Sequence, residues 1–227
     1  MRPNTLDHVA YWLEDREAMA DFATAHLGMH VIDRTERFTL VGSDARHGKL
    51  TLFAADGERE PGPLRRVVLR VSDLEAAIGR LPDGLEIERS AGAGVRFEGP
   101  EGLGLGLVEV DEGGVEYDID HVVLAVPERQ RAFDELAQLG FEPQDGVLRA
   151  GLGHLELENG AAGQSERPLL NHVALLVDSA EEYIREAESR GMDPEVVDAP
   201  NTYAAFVSGP AGIRLEYVEH KPGFSLV

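Results

Sequence analysis

The stretch Ile119-Asp120-His121-Val122-Val123 decides the fold, because it repeats the stretch Leu6-Asp7-His8-Val9-Ala10 after an interval of 113 residues. In both copies a strand-like apolar segment carries one histidine. A helix-like spacing of apolar residues follows each copy and stops at Gly28 and at Gly140. Self-similarity of this kind is the mark of a duplicated chain, so the sequence predicts two related halves.

Each predicted half divides once more into two similar units. The second unit of each half starts with an apolar strand, at residues 66–71 and 171–177, and a short helix follows. The final strands also match, at residues 100–105 and 210–215. The order of strand, helix and several strands therefore occurs four times. This predicts an α+β chain whose strands curl into two concave sheets with the helices outside.

The predicted domain boundary lies in residues 111–114. Their sequence, Asp-Glu-Gly-Gly, is typical of a linker. The N-terminal domain then covers residues 1–112, and the C-terminal domain covers residues 113–227.

Composition narrows the possible partners. The chain of 227 residues carries 42 acidic and 21 basic residues, a formal charge of −21. A surface this negative repels nucleic acid and anionic lipid, so we expect neither as a partner. The absence of cysteine excludes disulfides and thiolate metal ligands. We expect a cytoplasmic protein, because the N-terminal residues lack the apolar pattern of a secretory signal.

The sharpest candidate site consists of His121, His172 and Glu216. His121 and His172 open the first strands of the third and fourth units, and Glu216 lies in the last strand. Strand alternation places His172 and Glu216 on the face opposite the apolar residues, which is the concave one. Two imidazoles and one carboxylate can hold a divalent metal and leave three coordination positions open. Each residue taken alone could instead be an ordinary hydrogen-bonded polar residue.

The N-terminal half offers an internal control. His8 occupies the place of His121, but Val67 stands where His172 would be and Gly106 where Glu216 would be. A single imidazole holds a metal weakly. The sequence therefore predicts that the N-terminal half has lost its metal site and that His8 is a relic or a hydrogen-bonding residue.

With these features the chain resembles the vicinal oxygen chelate superfamily, which includes glyoxalases, bleomycin-resistance proteins and extradiol dioxygenases. The resemblance covers nearly the whole chain. It implies four βαβββ modules paired into two open-barrel, cup-like halves, with modules 1 and 2 in one half and modules 3 and 4 in the other. Four modules in one chain, with an inactive N-terminal half, most resemble a type I extradiol dioxygenase. That implies Fe(II), a small aromatic vicinal diol as substrate, and a homo-oligomer.

Two other functions stay open. A glyoxalase-type isomerase or lyase would act on a small carbonyl or thiol adduct, and its metal would be Ni(II) or Zn(II). Mn(II) is a further candidate for the metal of the site. A bleomycin-resistance-like module would bind a drug-sized molecule in the same cup without catalysis.

The strand at residues 153–158 alternates strictly, with His154, Glu156 and Glu158 on its polar face. The dioxygenase resemblance implies that His154 is the acid/base residue beside the metal. The glyoxalase resemblance implies that Glu156 is a fourth ligand, which would join His121, His172 and Glu216. Both residues could also belong to a solvated polar face.

Two further residues are predicted to contact the substrate. Phe206 stands at the position where the dioxygenases place a tyrosine, ten residues before the carboxylate ligand. Arg214 shares the face of Glu216 by strand alternation. The loss of the tyrosine leaves the metal ligands intact but removes a proton donor from the expected machinery.

Overall fold

Four copies of one strand–helix–strand unit build the protein. The computed structural model describes residues 2–90, 94–110, 114–160 and 166–222. Module 1 contains β1 (Thr5–Leu13), α1 (Arg16–His26), β2 (His30–Arg34), β3 (Phe38–Gly42) and β4 (Lys49–Ala54). Module 2 contains β5 (Leu64–Val71), α2 (Leu74–Ile78), β6 (Glu88–Arg89), β7 (Gly94–Glu98) and β8 (Gly104–Glu109).

The other two modules repeat this order. Module 3 contains β9 (Ile119–Val126), α3 (Arg129–Gln138), β10 (Glu142–Gln144), β11 (Val147–Ala150) and β12 (Gly153–Asn159). Module 4 contains β13 (Leu170–Leu176), α4 (Ala180–Ser189), β14 (Glu195–Asp198), β15 (Thr202–Ser208) and β16 (Arg214–His220). The predicted α+β architecture of four βαβββ modules is confirmed.

The sixteen strands form two sheets of eight. Sheet A has the order β14-β15-β16-β13-β1-β4-β3-β2, and sheet B has the order β10-β11-β12-β9-β5-β8-β7-β6. Within each module the first and last strands pair in parallel. Two modules join where their first strands pair antiparallel, β1 with β13 and β5 with β9. Each sheet is therefore one continuous curled surface contributed by two modules.

The predicted pairing of modules is wrong. Module 1 shares sheet A with module 4, and module 2 shares sheet B with module 3. The division into residues 1–112 and 113–227 therefore does not separate the two cups. Each cup contains one module from the N-terminal half of the chain and one from the C-terminal half. Of the predicted linker, residues 111–113 lie outside the described residues. The physical reason is that the edge of a first strand can accept any other first strand, so chain order does not select the partner.

Strand alternation sorts the side chains as predicted. In β1, Val9, Tyr11 and Leu13 are fully buried in the hydrophobic core, while the residues between them face the concave side. One continuous core joins both sheets and their helices. Close packing between modules 3 and 1 depends on Gly151, because a Cβ there would lie 1.8 Å from the Asn4 carbonyl oxygen. No helix among the described residues is long and apolar enough to cross a membrane.

Candidate metal centre

Three side chains from three strands of sheet A meet on its concave face. The Nε2 atoms of His8 and His172 lie 3.0 Å apart. Glu216 Oε2 lies 3.2 Å from His8 Nε2 and 2.9 Å from His172 Nε2. The strand register produces this meeting, because β1, β13 and β16 are neighbours and Ala174 pairs with both His8 and Glu216. The sheet therefore presents two imidazoles and a carboxylate as one cluster.

The geometry of this cluster fits a divalent metal. Metal–ligand bonds of about 2.1 Å at right angles place neighbouring donor atoms about 3.0 Å apart, close to all three separations. Glu216 is only 7% exposed and His172 only 4%. Glu216 Oε2 is buried, and no described residue donates a well-aligned hydrogen bond to it. A buried carboxylate oxygen in this position calls for a cation.

Burial and the neighbouring charged groups determine the protonation states of the metal-free cluster. Burial would raise the pKa of Glu216, but His172 and His8 hold that pKa well below its ordinary value, so the carboxylate is ionised. Burial lowers the pKa of His172. Burial also opposes the charged form of His8, but its hydrogen bond to Asp7 and its close contact with the Glu216 carboxylate outweigh burial and raise the pKa of His8 to about 9. At neutral pH a proton on His8 thus supplies the positive charge that a metal would supply.

Outer hydrogen bonds orient both imidazoles. His8 Nδ1 lies 2.7 Å from Asp7 Oδ2, and His172 Nδ1 lies 2.9 Å from Asn171 Oδ1. Each Nδ1 can donate its hydrogen to the neighbouring oxygen, which turns the Nε2 lone pair toward the cluster. Such partners fix the tautomer and the ring orientation of metal-binding histidines.

Asp7 is itself held by buried groups. It is 1% exposed and lies 2.8 Å from Lys49 Nζ and 3.0 Å from His220 Nε2. Burial would raise the pKa of Asp7, but Lys49, His220 and His8 hold it well below its ordinary value. The orientation of His8 therefore depends on a buried network beneath the cluster.

The predicted ligand set is corrected in one member. His172 and Glu216 lie together as predicted, but His121 lies in β9 of sheet B and takes no part in this cluster. His8, interpreted from the sequence as a relic or a hydrogen-bonding residue, fills the place given to His121. The repeat around His8 and His121 was the signal that could have found it, since it marks both as first-strand histidines. The choice between them depends on which module pairs with module 4.

The predicted positions of His154 and Glu156 are also corrected. Both lie in β12 of sheet B, where His154 pairs directly with His121. His154 is therefore not an acid/base residue beside the His8–His172–Glu216 cluster, and Glu156 is not its fourth ligand.

The residue of the N-terminal half predicted to match His172 is also corrected. Arg66, not Val67, pairs with the second residue after His121, just as His172 pairs with the second residue after His8.

Phe206 and Arg214 lie at the cluster, Arg214 as strand alternation predicts and Phe206 as the dioxygenase resemblance implies. Phe206 pairs with Glu216 across β15 and β16, and its ring centroid lies 5.1 Å from that of His172. The Arg214 guanidinium lies 4.0 Å above the Phe206 ring centroid and pairs with Glu195. Both residues therefore flank the cluster on the module 4 side, and their contact with a substrate stays a prediction.

A wall of aromatic rings, not foreseen from the sequence, continues the site on the module 1 side. The Phe53 ring centroid lies 6.5 Å from His172, 5.2 Å from Trp12 and 5.8 Å from Phe38. With Phe206, these side chains form what we name the aromatic wall (Trp12, Phe38, Phe53 and Phe206). The site therefore offers flat apolar surfaces beside a polar cluster, an arrangement typical of small-molecule pockets.

Comparison with known proteins gives a family match and a shared fold. The sequence model of the Glyoxalase/Bleomycin resistance protein/Dioxygenase superfamily matches residues 5–158. No curated protein sequence matches the chain.

Solved structures share the four-module fold over nearly the whole chain. A candidate dioxygenase from Bacillus subtilis has a TM-score of 0.83 and 18% identity, and covers 98% of this chain and 87% of its own. Glyoxalase I from Zea mays has a TM-score of 0.72 and 16% identity, with coverages of 95% and 92%. The cppA protein from Streptococcus pneumoniae has a TM-score of 0.65 and 16% identity, with coverages of 96% and 100%.

Proposed function

Since the chain belongs to the Glyoxalase/Bleomycin resistance protein/Dioxygenase superfamily, we propose that it is a metal-dependent enzyme that cleaves an aromatic vicinal diol with O2. The observation that carries the proposal is the cluster of two histidines and one carboxylate in sheet A. This ligand set is typical of non-haem Fe(II) oxygenases, in which three protein ligands leave three positions open. Fe(II) is therefore the proposed metal, held by His8, His172 and Glu216.

Among the described residues, a threonine in place of a second carboxylate at the matching position supports this reaction over a four-ligand site. Ala174, two residues after His172, pairs with Glu216 in module 4. The matching position in module 1 is Thr51, which pairs with Ala10, two residues after His8. A neutral hydroxyl is a weak metal ligand compared with a carboxylate. Module 1 therefore contributes one ligand and module 4 contributes two.

The chain's own residues would position the substrate. The aromatic wall offers flat contacts for a planar ring, and such ring pairs are worth about 0.5–1.5 kcal/mol beyond the burial of their area. The Arg214 guanidinium, packed over the Phe206 ring, adds a positive charge at the rim. Asp7 and Asn171 hold the two imidazoles in place. When bound, Fe(II) would supply adjacent open positions for the two diol oxygens and O2.

A test begins with anaerobic loading of one equivalent of Fe(II) into the metal-free protein. Catechol, 3-methylcatechol and 2,3-dihydroxybiphenyl are then supplied in air, while product absorbance and oxygen uptake are followed. We expect a yellow ring-opened product with one O2 consumed per diol. His8→Ala and His172→Ala should abolish turnover, whereas His30→Ala, at an exposed position on β2, should not. Bound iron without diol consumption would contradict the proposal.

A glyoxalase-type isomerase is the second candidate. Phe206 lacks the hydroxyl of the dioxygenase tyrosine, and His154 lies in the other sheet, so two expected proton donors are missing from the site. Turnover of the methylglyoxal–glutathione hemithioacetal by the Ni(II) or Zn(II) protein, without diol cleavage, would support this candidate. Metal-independent binding of a small molecule would instead indicate a binding module.

We further propose a cytoplasmic homo-oligomer that acts on a small molecule. In support, the edge strands of sheet A carry exposed valines, Val31 on β2 and Val196 and Val197 on β14. Exposed edge strands are common sites of association. Light scattering that shows only the monomer at all concentrations would contradict this assembly.

A further inference from the structure

A second cluster of metal-binding side chains lies in sheet B, outside the proposed active site. His121 on β9 pairs directly with His154 on β12, and their rings stack with centroids 4.8 Å apart. Glu156 lies two residues further along β12, with its Oε1 atom 3.4 Å from His154 Nε2. Alternation puts all three side chains on the same, concave face.

Module 3 repeats the ligand pair of module 4. In module 4, Glu216 pairs with the second residue after His172. In module 3, Glu156 pairs with Val123, the second residue after His121. The pair His121 and Glu156 therefore has the same strand register as the pair His172 and Glu216.

His121 also has the outer hydrogen bond of a metal-binding histidine. Its Nδ1 lies 2.7 Å from Asp120 Oδ1, the same distance as between His8 Nδ1 and Asp7 Oδ2. This bond directs the Nε2 lone pair away from Asp120. Asp120 also pairs with Arg70 at 3.3 Å. Asp120 also has a donor atom within 4.8 Å of both imidazoles, but His121 and Arg70 already engage it, so we assign Glu156 as the carboxylate ligand.

The third metal-binding side chain of this cluster comes from a different position than the third one in sheet A. In sheet A the partner module supplies His8, but in sheet B the partner module supplies Arg66, a guanidinium that cannot bind a metal. Arg66 is turned toward Glu158, 2.8 Å away. His154, in the position that Arg214 holds in module 4, supplies an imidazole instead. Its Nδ1 is buried and has no hydrogen-bond partner among the described residues.

We propose that module 3 holds a second divalent cation, of the zinc type, through His121, His154 and Glu156. Two imidazoles and one carboxylate are a normal ligand set for Zn²⁺, with water in the fourth position. The His121 and His154 rings stack at an interplanar angle of 22°, whereas the His8 and His172 rings meet edge to face at 75°. Lone pairs in the planes of two nearly parallel rings do not converge on one point, so a small rotation of the rings precedes binding. We therefore expect this site to bind zinc at least about tenfold more weakly than the sheet A site.

Zinc titration of the metal-free protein tests the proposal, with stoichiometry measured by calorimetry and equilibrium dialysis. We expect two ions per chain in the wild type. His121→Ala and His154→Ala should each remove the weaker ion only, and His8→Ala should remove the tighter one only. Glu156→Gln, which keeps the side-chain shape, should weaken the second site at least about tenfold. The exposed controls His30→Ala and Glu128→Gln should bind two ions, and circular dichroism should confirm that every variant is folded.

The outcomes separate this site from the proposed active site. A single zinc ion that is lost in His172→Ala and kept in His121→Ala and His154→Ala overturns the second site and leaves the first. If the wild type binds a single ion that is lost in His121→Ala and kept in His172→Ala, the second site is supported. The proposed function would then lack its metal. If both His121→Ala and Glu156→Gln still bind two zinc ions with wild-type affinity, the second site is also overturned.

Discussion

The Nε2 atoms of His8 and His172 lie 3.0 Å apart, although 164 positions separate the two residues in the chain. Pairing of β1 with β13 brings them together, so the proposed metal centre joins the first module to the last. Neither module supplies both imidazoles. Metal binding at this centre should therefore require that modules 1 and 4 are packed together through β1 and β13.

Metal should stabilise the folded protein through this centre. A ligand that binds only the folded state adds about 2.7 kcal/mol to the free energy of unfolding at a concentration 100 times its Kd. We expect Fe(II), added anaerobically, to raise the melting temperature of the wild type and of His30→Ala. The same metal should give a much smaller rise in His8→Ala. If Fe(II) raised the melting temperatures of the wild type and His8→Ala equally, His8 would not be a metal ligand.

Loss of the Asp7 carboxylate should destabilise the metal-free protein. Asp7→Asn removes the carboxylate that lies 2.8 Å from the Lys49 ammonium, which is only 3% exposed. Breaking a buried ion pair on one side costs about 3–5 kcal/mol of unfolding free energy. Urea denaturation in the presence of a chelator measures this change. Asp44→Asn is the matched control, because the Asp44–His47 pair is well exposed and contributes about 0–1 kcal/mol. An equal effect of both substitutions would contradict the buried network.

Metal affinity should rise with pH up to about 9. The pKa of His8 is raised to about 9, so below that pH a binding metal must displace the proton on His8. Displacement of one proton increases the apparent affinity about tenfold per pH unit. We expect this slope between pH 7 and pH 9 and a plateau above it, measured by competition with a chelator of known affinity. A flat affinity over this range would indicate that His8 is neutral before the metal binds.

The same pKa predicts the opposite trend for the metal-free protein. His8 has a higher pKa when folded than its ordinary value of 6.5, so its protonation stabilises the folded state. This contribution is fully present below pH 6.5 and is lost as the pH rises through about 9. Thermal unfolding with a chelator should therefore show a melting temperature that falls over this range in the wild type. His8→Ala should show a weaker decline.

Truncation of Phe206 should weaken substrate binding more than it changes metal binding. Phe206 contacts the site with its ring 5.1 Å from that of His172, but it offers no metal ligand. Loss of one aromatic contact costs about 1–2 kcal/mol, so Phe206→Ala should raise the KM for an aromatic diol about 5–30-fold. Iron content should stay near one equivalent under stoichiometric loading. Leu152→Ala is the control, because Leu152 is exposed and lies outside sheet A. An unchanged KM in Phe206→Ala would remove the aromatic wall from the substrate site.

By itself the sequence determined the local features of this protein. Repeats and apolar periodicity predicted four modules, and strand alternation put His172, Glu216 and Arg214 on a concave face. These predictions succeeded because the period of a strand and the position of a turn are encoded within a few neighbouring residues. The same patterns identified His8 and His121 as equivalent first-strand histidines.

Only the tertiary structure decided which histidine joins His172 and Glu216. That choice depends on whether β13 pairs with β9 or with β1, and the first strands of all four modules present similar backbone edges. Backbone hydrogen bonds do not distinguish these partners, so the packing of both sheets around one core selects the pairing. Pairing of modules 1 and 4 brings His8 into the proposed active site. Pairing of modules 2 and 3 moves His121, His154 and Glu156 into the opposite sheet.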